Sequence, residues 1–523
     1  MKRLLYFGLS ASLFLSALTG CGSTASTATA GTSEVSVSAA EETAEKEETA
    51  TEEVTPDAAA AEETITADSG ETPGEPPSGE APGEPPSGEA PGEPPSGGAP
   101  GEPLSGGMPG GAPGSSSSSD IDYAGAVEIT SVDSQNGQEY ASSTSDESAL
   151  LISTSDEVTI SAPTVIKTGD SDGGDSCNFY GLNAAVLVKD GATVTINGGT
   201  VTSDASGANG VFCYGGNGGQ NGAAGDGTTL NIYNTVITTT GDGSGGIMTT
   251  GGGVTNAYDL TVETSGQSSA AIRTDRGGGT VVVDGGSYTS NGLGSPAIYS
   301  TADITVANAQ LTSNLSEGVC IEGLNSITLN NCDLTANNTK CNGNATFLDT
   351  IMIYQSMSGD AASGTSSFTM TDGSLTSKNG HVFHVTNTSA VITLQNVEIV
   401  NEDEDNILLS VCADGWSGGS NIAALKAIKQ KLSGAVLVGS DSSLTLELTD
   451  GSAFEGYIDG NITNASGEVV STEAGTVSVT LDSTSTWTLT GNSYISEFNG
   501  DASNVITNGY TLYVNGVALT GTN

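Results

Sequence analysis

Basic residues are scarce in this chain of 523 residues. Its 12 lysines and arginines stand against 62 acidic residues, which gives a formal net charge of −50 at pH 7. A nucleic-acid backbone would be repelled along nearly the whole surface, so DNA and RNA are excluded as main partners. Apolar residues are also few, at 35%, while 73 residues are glycine. This composition argues against a compact helical core.

Hydrophobic runs of membrane-spanning length are missing beyond the N-terminus. One shorter apolar run covers residues 4–18, follows Lys2 and Arg3, and leads through small residues to Cys21. That pattern is typical of a bacterial lipoprotein signal. We therefore expect residues 1–20 to be a signal peptide and the Cys21 thiol to carry the lipid. The mature protein is then expected to be extracytoplasmic, exposed at the cell surface and attached to the membrane only through this lipid.

Residues 21–119 have almost no aromatic or β-branched core. They comprise an acidic Ala/Thr/Glu stretch, a nine-residue Pro/Gly repeat ("GEPPSGEAP" and variants) and a run of serines. Such a segment buries too little apolar surface to fold. The sequence therefore predicts a disordered, lipid-anchored spacer over residues 21–119 and a folded domain over residues 120–523.

Apolar residues in the predicted domain recur at fixed offsets. The positions two before and five after each of eight anchors are also apolar, and the minimal repeat is 23 residues. The anchors are Ile160, Ile196, Ile232, Val283, Val306, Leu329, Met370 and Leu394. Offsets of two are typical of strands, and a fixed period is typical of a solenoid. The sequence therefore predicts an all-β fold, a parallel β-helix with three strands per coil and eleven or twelve coils.

Corner residues support this prediction. Two positions after the anchor lies glycine, asparagine or aspartate in seven of the eight repeats, and Ala162 is the exception. These residue types tolerate the left-handed backbone of a sharp bend. The repeat near Val254 is out of register by a residue or two, and residues 421–432 ("NIAALKAIKQKL") fit a strand and an amphipathic helix equally well.

Several segments resemble a group of secreted, adhesin-like bacterial proteins. They include "AAIRTDRGGGTVVVDGGSYTSNGLGSPAIYSTADITV", "SEGVCIEGLNSITLNNCDLT" and "STWTLTGNSYI", and the resemblance covers most of residues 150–523. It implies right-handed parallel β-helix repeats on a cell-surface protein. It brings no catalytic residues, because the group has none assigned. The histidines of "GHVFHV" depart from the aromatic or apolar residues expected there.

Other parallel β-helices are pectate lyases or polygalacturonases, so an enzyme is a real alternative. A lyase needs a basic residue and a Ca²⁺-binding carboxylate cluster. Arg273 and Asp275 are weak candidates for the catalytic pair, and Asp170, Asp172 and Asp175 are weak candidates for Ca²⁺ ligands. The Gly-His-Gly and Arg-x-Lys signatures of the hydrolases are absent from the sequence.

Insertions in the repeat are the expected recognition surface, because loops at solenoid corners commonly bind ligands. They fall at residues 166–187, at residues 336–350 and after Val211. The candidate binding residues near them are Arg273, Arg276, Phe179, Tyr180, Tyr214 and Tyr354. We expect a non-enzymatic surface lipoprotein that binds a polysaccharide or cell-surface ligand without a cofactor. The alternatives are a lyase-like enzyme with Ca²⁺ and a structural surface-coat component.

Overall fold

The structure is a computed structural model and describes residues 121–218 and 224–520. The expected signal peptide at residues 1–20, the lipidation of Cys21 and the spacer at residues 21–119 lie outside these described residues. No helix in the described ranges is long and apolar enough to cross a membrane.

The described chain winds as a parallel β-helix, which confirms the expected fold. Each coil runs along face one, turns a corner into face two and then crosses to face three. Neighbouring coils pair through parallel ladders. The strands of face one are Asp133–Asn136, Glu157–Ser161, Thr193–Asn197, Thr229–Tyr233, Gly253–Tyr258, Gly279–Asp284, Asp303–Ala307, Ser326–Ala336, Thr365–Ser377, Ser389–Gln395, Asn421–Ile428, Ser442–Thr449, Thr476–Leu481 and Glu497–Asn499.

Two of these strands, Ser326–Ala336 and Thr365–Ser377, turn the corner without a break and therefore also belong to face two. The other strands of face two are Glu139–Ser142, Thr164–Lys167, Thr200–Ser203, Val236–Thr239, Thr261–Thr264, Ser287–Ser290, Gln310–Ser313 and Glu398–Asn401. The strands of face three are Ala124–Ile129, Glu147–Ser153, Val186–Lys189, Val211–Tyr214, Ile247–Thr250, Ile272–Thr274, Ile298–Ser300, Val319–Glu322, Asp349–Tyr354, His381–Thr386, Ile407–Val411, Lys431–Val438, Ala453–Asp459, Thr486–Leu489 and Val505–Ile506.

The stack is longer than the eleven or twelve coils expected, because face three alone has fifteen strands in the described residues. Sequence offsets missed coils at both ends for two physical reasons. The first coil uses polar strands such as Asp133–Asn136, which carry no apolar anchor. In the last coils, strands such as Lys431–Val438 run continuously into face three, so the three-strand spacing no longer applies.

The predicted anchors form one interior column. Ile196 pairs with Ile232, Val283 with Val306 and Leu329 with Met370, and each of these side chains is buried. Further down the chain the column continues through Leu394, Ala427, Leu448 and Leu481. Burial of these side chains is the main favourable free energy of the stack, because each coil is too thin to form a core alone.

Left-handed backbone occurs at every predicted corner. Positive φ angles are found at Gly198 (69°), Asn234 (50°), Gly285 (76°), Asn308 (54°), Asn331 (51°), Asp372 (56°) and Asn396 (54°). Ala162, the exception in composition, adopts the same conformation with φ 45°. Amides at the corner also bond between coils, since Asn331 Nδ2 donates to Asn308 Oδ1 at 2.9 Å. The corner therefore fixes both the bend and the register.

The structure corrects the interpretation of one segment and decides between the two alternatives for another. The coil at Val254 is in register after all, because Thr255 and Ala257 occupy the inward positions. The hydroxyl of Thr255 lies 2.7 Å from that of Thr249, which satisfies it inside the core. Residues 421–428 form a strand rather than a helix, because Ala423, Leu425 and Ala427 alternate into the interior.

Short elements complete the described chain. The helix Asp175–Tyr180 lies in the first insertion, and the 3₁₀ helix Ala502–Asn504 lies near the C-terminus. Strands Asn461–Thr463 and Val469–Thr472 form an antiparallel hairpin. The remaining three strands form a small sheet at the end of the stack: Ser493–Ile495, Leu512–Val514 and Val517–Leu519.

Candidate functional site

The outer surface of face three is covered by loops. Its outward side chains form a column that is buried instead of exposed. In register from coil to coil, this column runs Leu151, Leu187, Phe212, Met248, Arg273, Tyr299, Cys320, Met352 and His384. Residues 168–185, 337–348, 355–364 and 412–420 connect the strands and pack over the column. We call these four segments the loop layer.

The arginines predicted from sequence hold the loop layer to the sheet. Arg273 is 4% exposed and its guanidinium donates to Asn178 Oδ1 at 3.2 Å and to Asp275 Oδ2 at 2.9 Å. Arg276 donates to Asp360 Oδ1 at 2.6 Å, and its guanidinium lies 4.1 Å from the ring centroid of Phe179. These contacts join segments up to 95 residues apart in sequence.

Buried carboxyls surround this arginine cluster. Burial raises the pKa of Asp275, and the charge of Arg273 opposes that rise while Asp360 and Glu322 add to it. Glu322 accepts a hydrogen bond from the Tyr299 hydroxyl at 2.6 Å and another from Ser356. Burial raises the pKa of Glu322 as well, and the hydrogen bonds from Ser356 and Tyr299 oppose the rise. The cluster is a closed network in which each charged group has a partner.

The four candidate aromatics converge on the same layer but are shielded from solvent. Phe179, Tyr180 and Tyr214 are each at most 3% exposed, and Tyr180 meets the Tyr214 ring edge-on at 5.7 Å. Tyr354 is 5% exposed and lies against Trp416, with ring centroids 4.8 Å apart. The structure thus buries the predicted aromatics in two clusters, one with Phe179, Tyr180 and Tyr214 and the other with Tyr354. The half-buried Trp416 lies nearer the surface of the layer.

The acidic candidates Asp170, Asp172 and Asp175 do not converge. Asp170 accepts a hydrogen bond from the backbone N–H of Ser206 at 2.8 Å. Burial raises the pKa of Asp175, and the nearby Arg276 opposes that rise. In the described ranges, no group of three or more His, Cys, Asp or Glu residues is arranged to hold a metal ion.

A second polar cluster contains both histidines of the chain. Ser410 Oγ lies 2.7 Å from His381 Nδ1 and 2.8 Å from His384 Nδ1, so one hydroxyl bridges the two rings. Val382 and Phe383 both belong to the interior core, which interrupts the strand alternation and leaves the two histidines on the same side. On a regular strand, two residues three positions apart would face opposite sides.

Asp414 of the loop layer closes this cluster. Its Oδ2 lies 3.4 Å from His384 Nε2, and its Oδ1 accepts from the Thr346 hydroxyl at 2.7 Å. Burial raises the pKa of Asp414, but the contact with His384 and the donors of Thr346 and Gly415 outweigh it, so the net shift is downward. Burial, with a smaller contribution from His384, lowers the pKa of His381 to about 3.

Sequence reasoning missed Trp416, Asp414 and Asp360. A tryptophan in the Gly/Ser-rich segment "CADGWSGGS" is a usable signal, because a large aromatic in a polar loop is commonly a packing or binding residue. The two aspartates give no such signal in a chain with 62 acidic residues.

No family model, curated protein or solved structure matched the chain, so comparison with known proteins assigns it to no family. In the arginine cluster the charged groups are partnered by one another. In the histidine cluster, the buried His384 Nε2 and Asp414 Oδ2 face each other at 3.4 Å without a hydrogen bond. Both clusters have a structural role, because their contacts hold the loops in fixed positions.

The burial of His381 predicts a specific pH dependence. Its folded pKa of about 3 lies below the ordinary value of 6.5, so the unfolded state binds the proton first. This residue's contribution to stability is therefore lost progressively as pH falls from about 6.5 toward 3. In NMR spectra of histidine-labelled protein, assigned with His381→Asn, its ring should stay neutral from pH 8 to about 4. A titration midpoint near 6.5 would show that the ring is solvated.

Proposed function

We propose that the protein is a non-enzymatic cell-surface lipoprotein whose β-helix displays the loop layer for adhesion to a glycan or another surface. The observation that carries this proposal is the convergence of four segments, contributed by three coils, on one face. A buried ion pair and buried hydrogen bonds hold them there. Preorganised loops lose little entropy on binding, which favours recognition.

Burial of the basic residues supports binding over catalysis. A lyase needs a base that contacts the substrate proton. Arg273 is 4% exposed, and its guanidinium is engaged by Asn178, Ser268 and Asp275. Releasing it would leave buried polar groups unpaired at a cost of about 3–5 kcal/mol. This arrangement favours a positioning role for Arg273.

The accessible part of the loop layer has the composition of a recognition surface. Met357 is 62% exposed and accepts a hydrogen bond at its sulfur from the Ser417 hydroxyl at 3.8 Å. Trp416, the residue before Ser417, is half-buried and lies within a stretch of glycine and serine. A partly exposed aromatic surrounded by small polar residues is suited to stack on a sugar ring or an apolar side chain.

Attachment to the membrane through Cys21 is the second part of the proposal. Its support is the sequence pattern of a basic start, a short apolar run and a cysteine after small residues. In cells fed an alkyne-labelled fatty acid, the protein should take up label and sediment with membranes. The Cys21→Ser variant should do neither, and label that persists in this variant would contradict the assignment.

Binding through the loop layer is tested on a glycan array with the full chain. Trp416→Ala should weaken binding about tenfold or more, because truncating an anchor aromatic typically costs that much. Tyr494→Ala is the matched control, since Tyr494 is 42% exposed and stacks on Tyr513 at the C-terminal end of the stack. Equal binding by Trp416→Ala and wild type would reject the loop layer as the binding surface. Formation of unsaturated sugar product would reject the non-enzymatic role.

A further inference from the structure

Ionisable side chains are buried beneath one segment of the loop layer. Residues 337–348, which we call the lid, connect face two to face three of one coil. Beneath the lid, Glu317, Asp349 and His381 occupy equivalent positions of three successive coils, because the strands that carry or follow them pair in register. Each of the three is at most 8% exposed. The lid therefore covers a row of two acids and one base.

Phe347 and Thr346 hold the lid closed. The buried ring of Phe347 has its centroid 5.4 Å from that of His381 and 4.7 Å from that of His384. The backbone N–H and the hydroxyl of Thr346 both donate to Asp414 Oδ1, at 2.8 Å and 2.7 Å. These contacts keep water away from the side chains beneath the lid.

Asp349 has no partner for its charge. Both of its carboxyl oxygens are buried and lack a hydrogen-bond partner in the described residues. None of the ion pairs in that part of the chain includes Asp349 or Glu317. An ionised carboxylate there would lose its hydration without replacement, so Asp349 keeps its proton while the lid is closed. Burial raises its pKa well above the ordinary 3.8, and Glu317 and Asp414 add to the rise.

The titratable groups around Asp349 do not offset its charge. They are Glu317 and Cys320 in the preceding coil, Cys341 in the lid, His381 in the following coil and Asp414 in residues 412–420. Burial raises the pKa of Glu317, and hydrogen bonds from Ser316 and Asn338 oppose only part of the rise. Burial also raises the pKa of both thiols from the ordinary 9.0, so they stay uncharged near neutral pH.

His381 is kept uncharged under the same lid. Burial lowers its pKa from 6.5 to about 3, His384 adds to the fall and Asp414 opposes it. Its Nδ1 lies 2.7 Å from Ser410 Oγ. The closed lid thus favours the neutral forms of an acid and a base in neighbouring coils.

Opening of the lid changes the protons bound by these two side chains in opposite directions. Once solvated, Asp349 titrates at its ordinary 3.8 and His381 at its ordinary 6.5. Opening therefore releases a proton from Asp349 above pH 3.8 and adds a proton to His381 below pH 6.5. Above pH 6.5 only the release remains, so the closed lid loses stability as pH rises. Glu317 acts in the same direction as Asp349.

We propose that the lid is a pH-responsive cover, which stays closed while Asp349 and His381 are both uncharged and opens more often as pH rises above neutrality. Opening breaks the contact between Thr346 and Asp414, which frees the segment that carries Trp416. The lid thereby controls the surface used for adhesion. That consequence rests on the proposed function, but opening itself is measured without a ligand, so the two proposals can fail separately.

Hydrogen exchange of the full chain, measured by mass spectrometry of lid peptides, tests the proposal. The amide of Thr346 is bonded to Asp414 and exchanges when the lid opens. Asp349→Asn keeps the shape of the side chain but cannot ionise. At any one pH, the ratio of wild-type to variant exchange rates cancels the intrinsic rate of exchange. From about pH 6 to about pH 8 this ratio should rise about tenfold per pH unit.

His381→Asn should give a change of opposite sign. The ratio of wild-type to His381→Asn exchange rates should fall about tenfold per pH unit from about pH 4.5 to about pH 6.5 and then stay constant. Asp405→Asn is the matched control, because it makes the same chemical change at an exposed carboxyl before strand Ile407–Val411. Its ratio should not change with pH.

Three results would overturn the proposal. They are a ratio for Asp349→Asn that does not change with pH, an equal rise for Asp405→Asn, and an equal rise in peptides of strand Thr229–Tyr233. The last result would mean that the whole stack unfolds and the lid does not open by itself. If Asp349→Asn fails to fold, His381→Asn decides, and a constant ratio below pH 6.5 would reject the proposal.

Discussion

The structure depends on the in-register stacking of coils that have no core of their own. Each coil satisfies its backbone hydrogen bonds and buries its inward side chains only against the coils next to it. Register is therefore the controlling constraint, and left-handed corners such as Asn308 and Asn331 maintain it by bending the chain and bonding between coils. Where coil length changes, as after Asn396, the stack keeps two faces in register and the third one opens.

The fold was predictable from the sequence because the residues that form its interior columns are apolar and recur at fixed spacing. Anchors such as Ile196 and Val306 recur with branched apolar side chains, and glycine or asparagine marks the bend two residues later. Coils whose inward positions are filled by polar or small residues escaped the pattern, as Thr255 and Ala257 show. The Thr255 hydroxyl is satisfied inside the core by that of Thr249, and apolar periodicity does not detect such a pair.

The candidate site was predictable in its members but not in their environment. Arg273, Phe179 and Tyr214 do come together, because insertions of neighbouring coils meet on the same face. Their burial depends on segments from distant coils, including Asp360 and Trp416, whose positions follow from coil-to-coil register and loop path.

The spacing of coils along the stack tests this account most directly. Thr195 and Thr393 lie on the outward surface of face one and are separated by seven strand-to-strand steps in register. At about 4.8 Å per step, nitroxide labels at Thr195→Cys and Thr393→Cys should give a narrow electron–electron distance distribution centred near 34 Å. A broad distribution, or a centre beyond about 50 Å, would contradict the stacked coils.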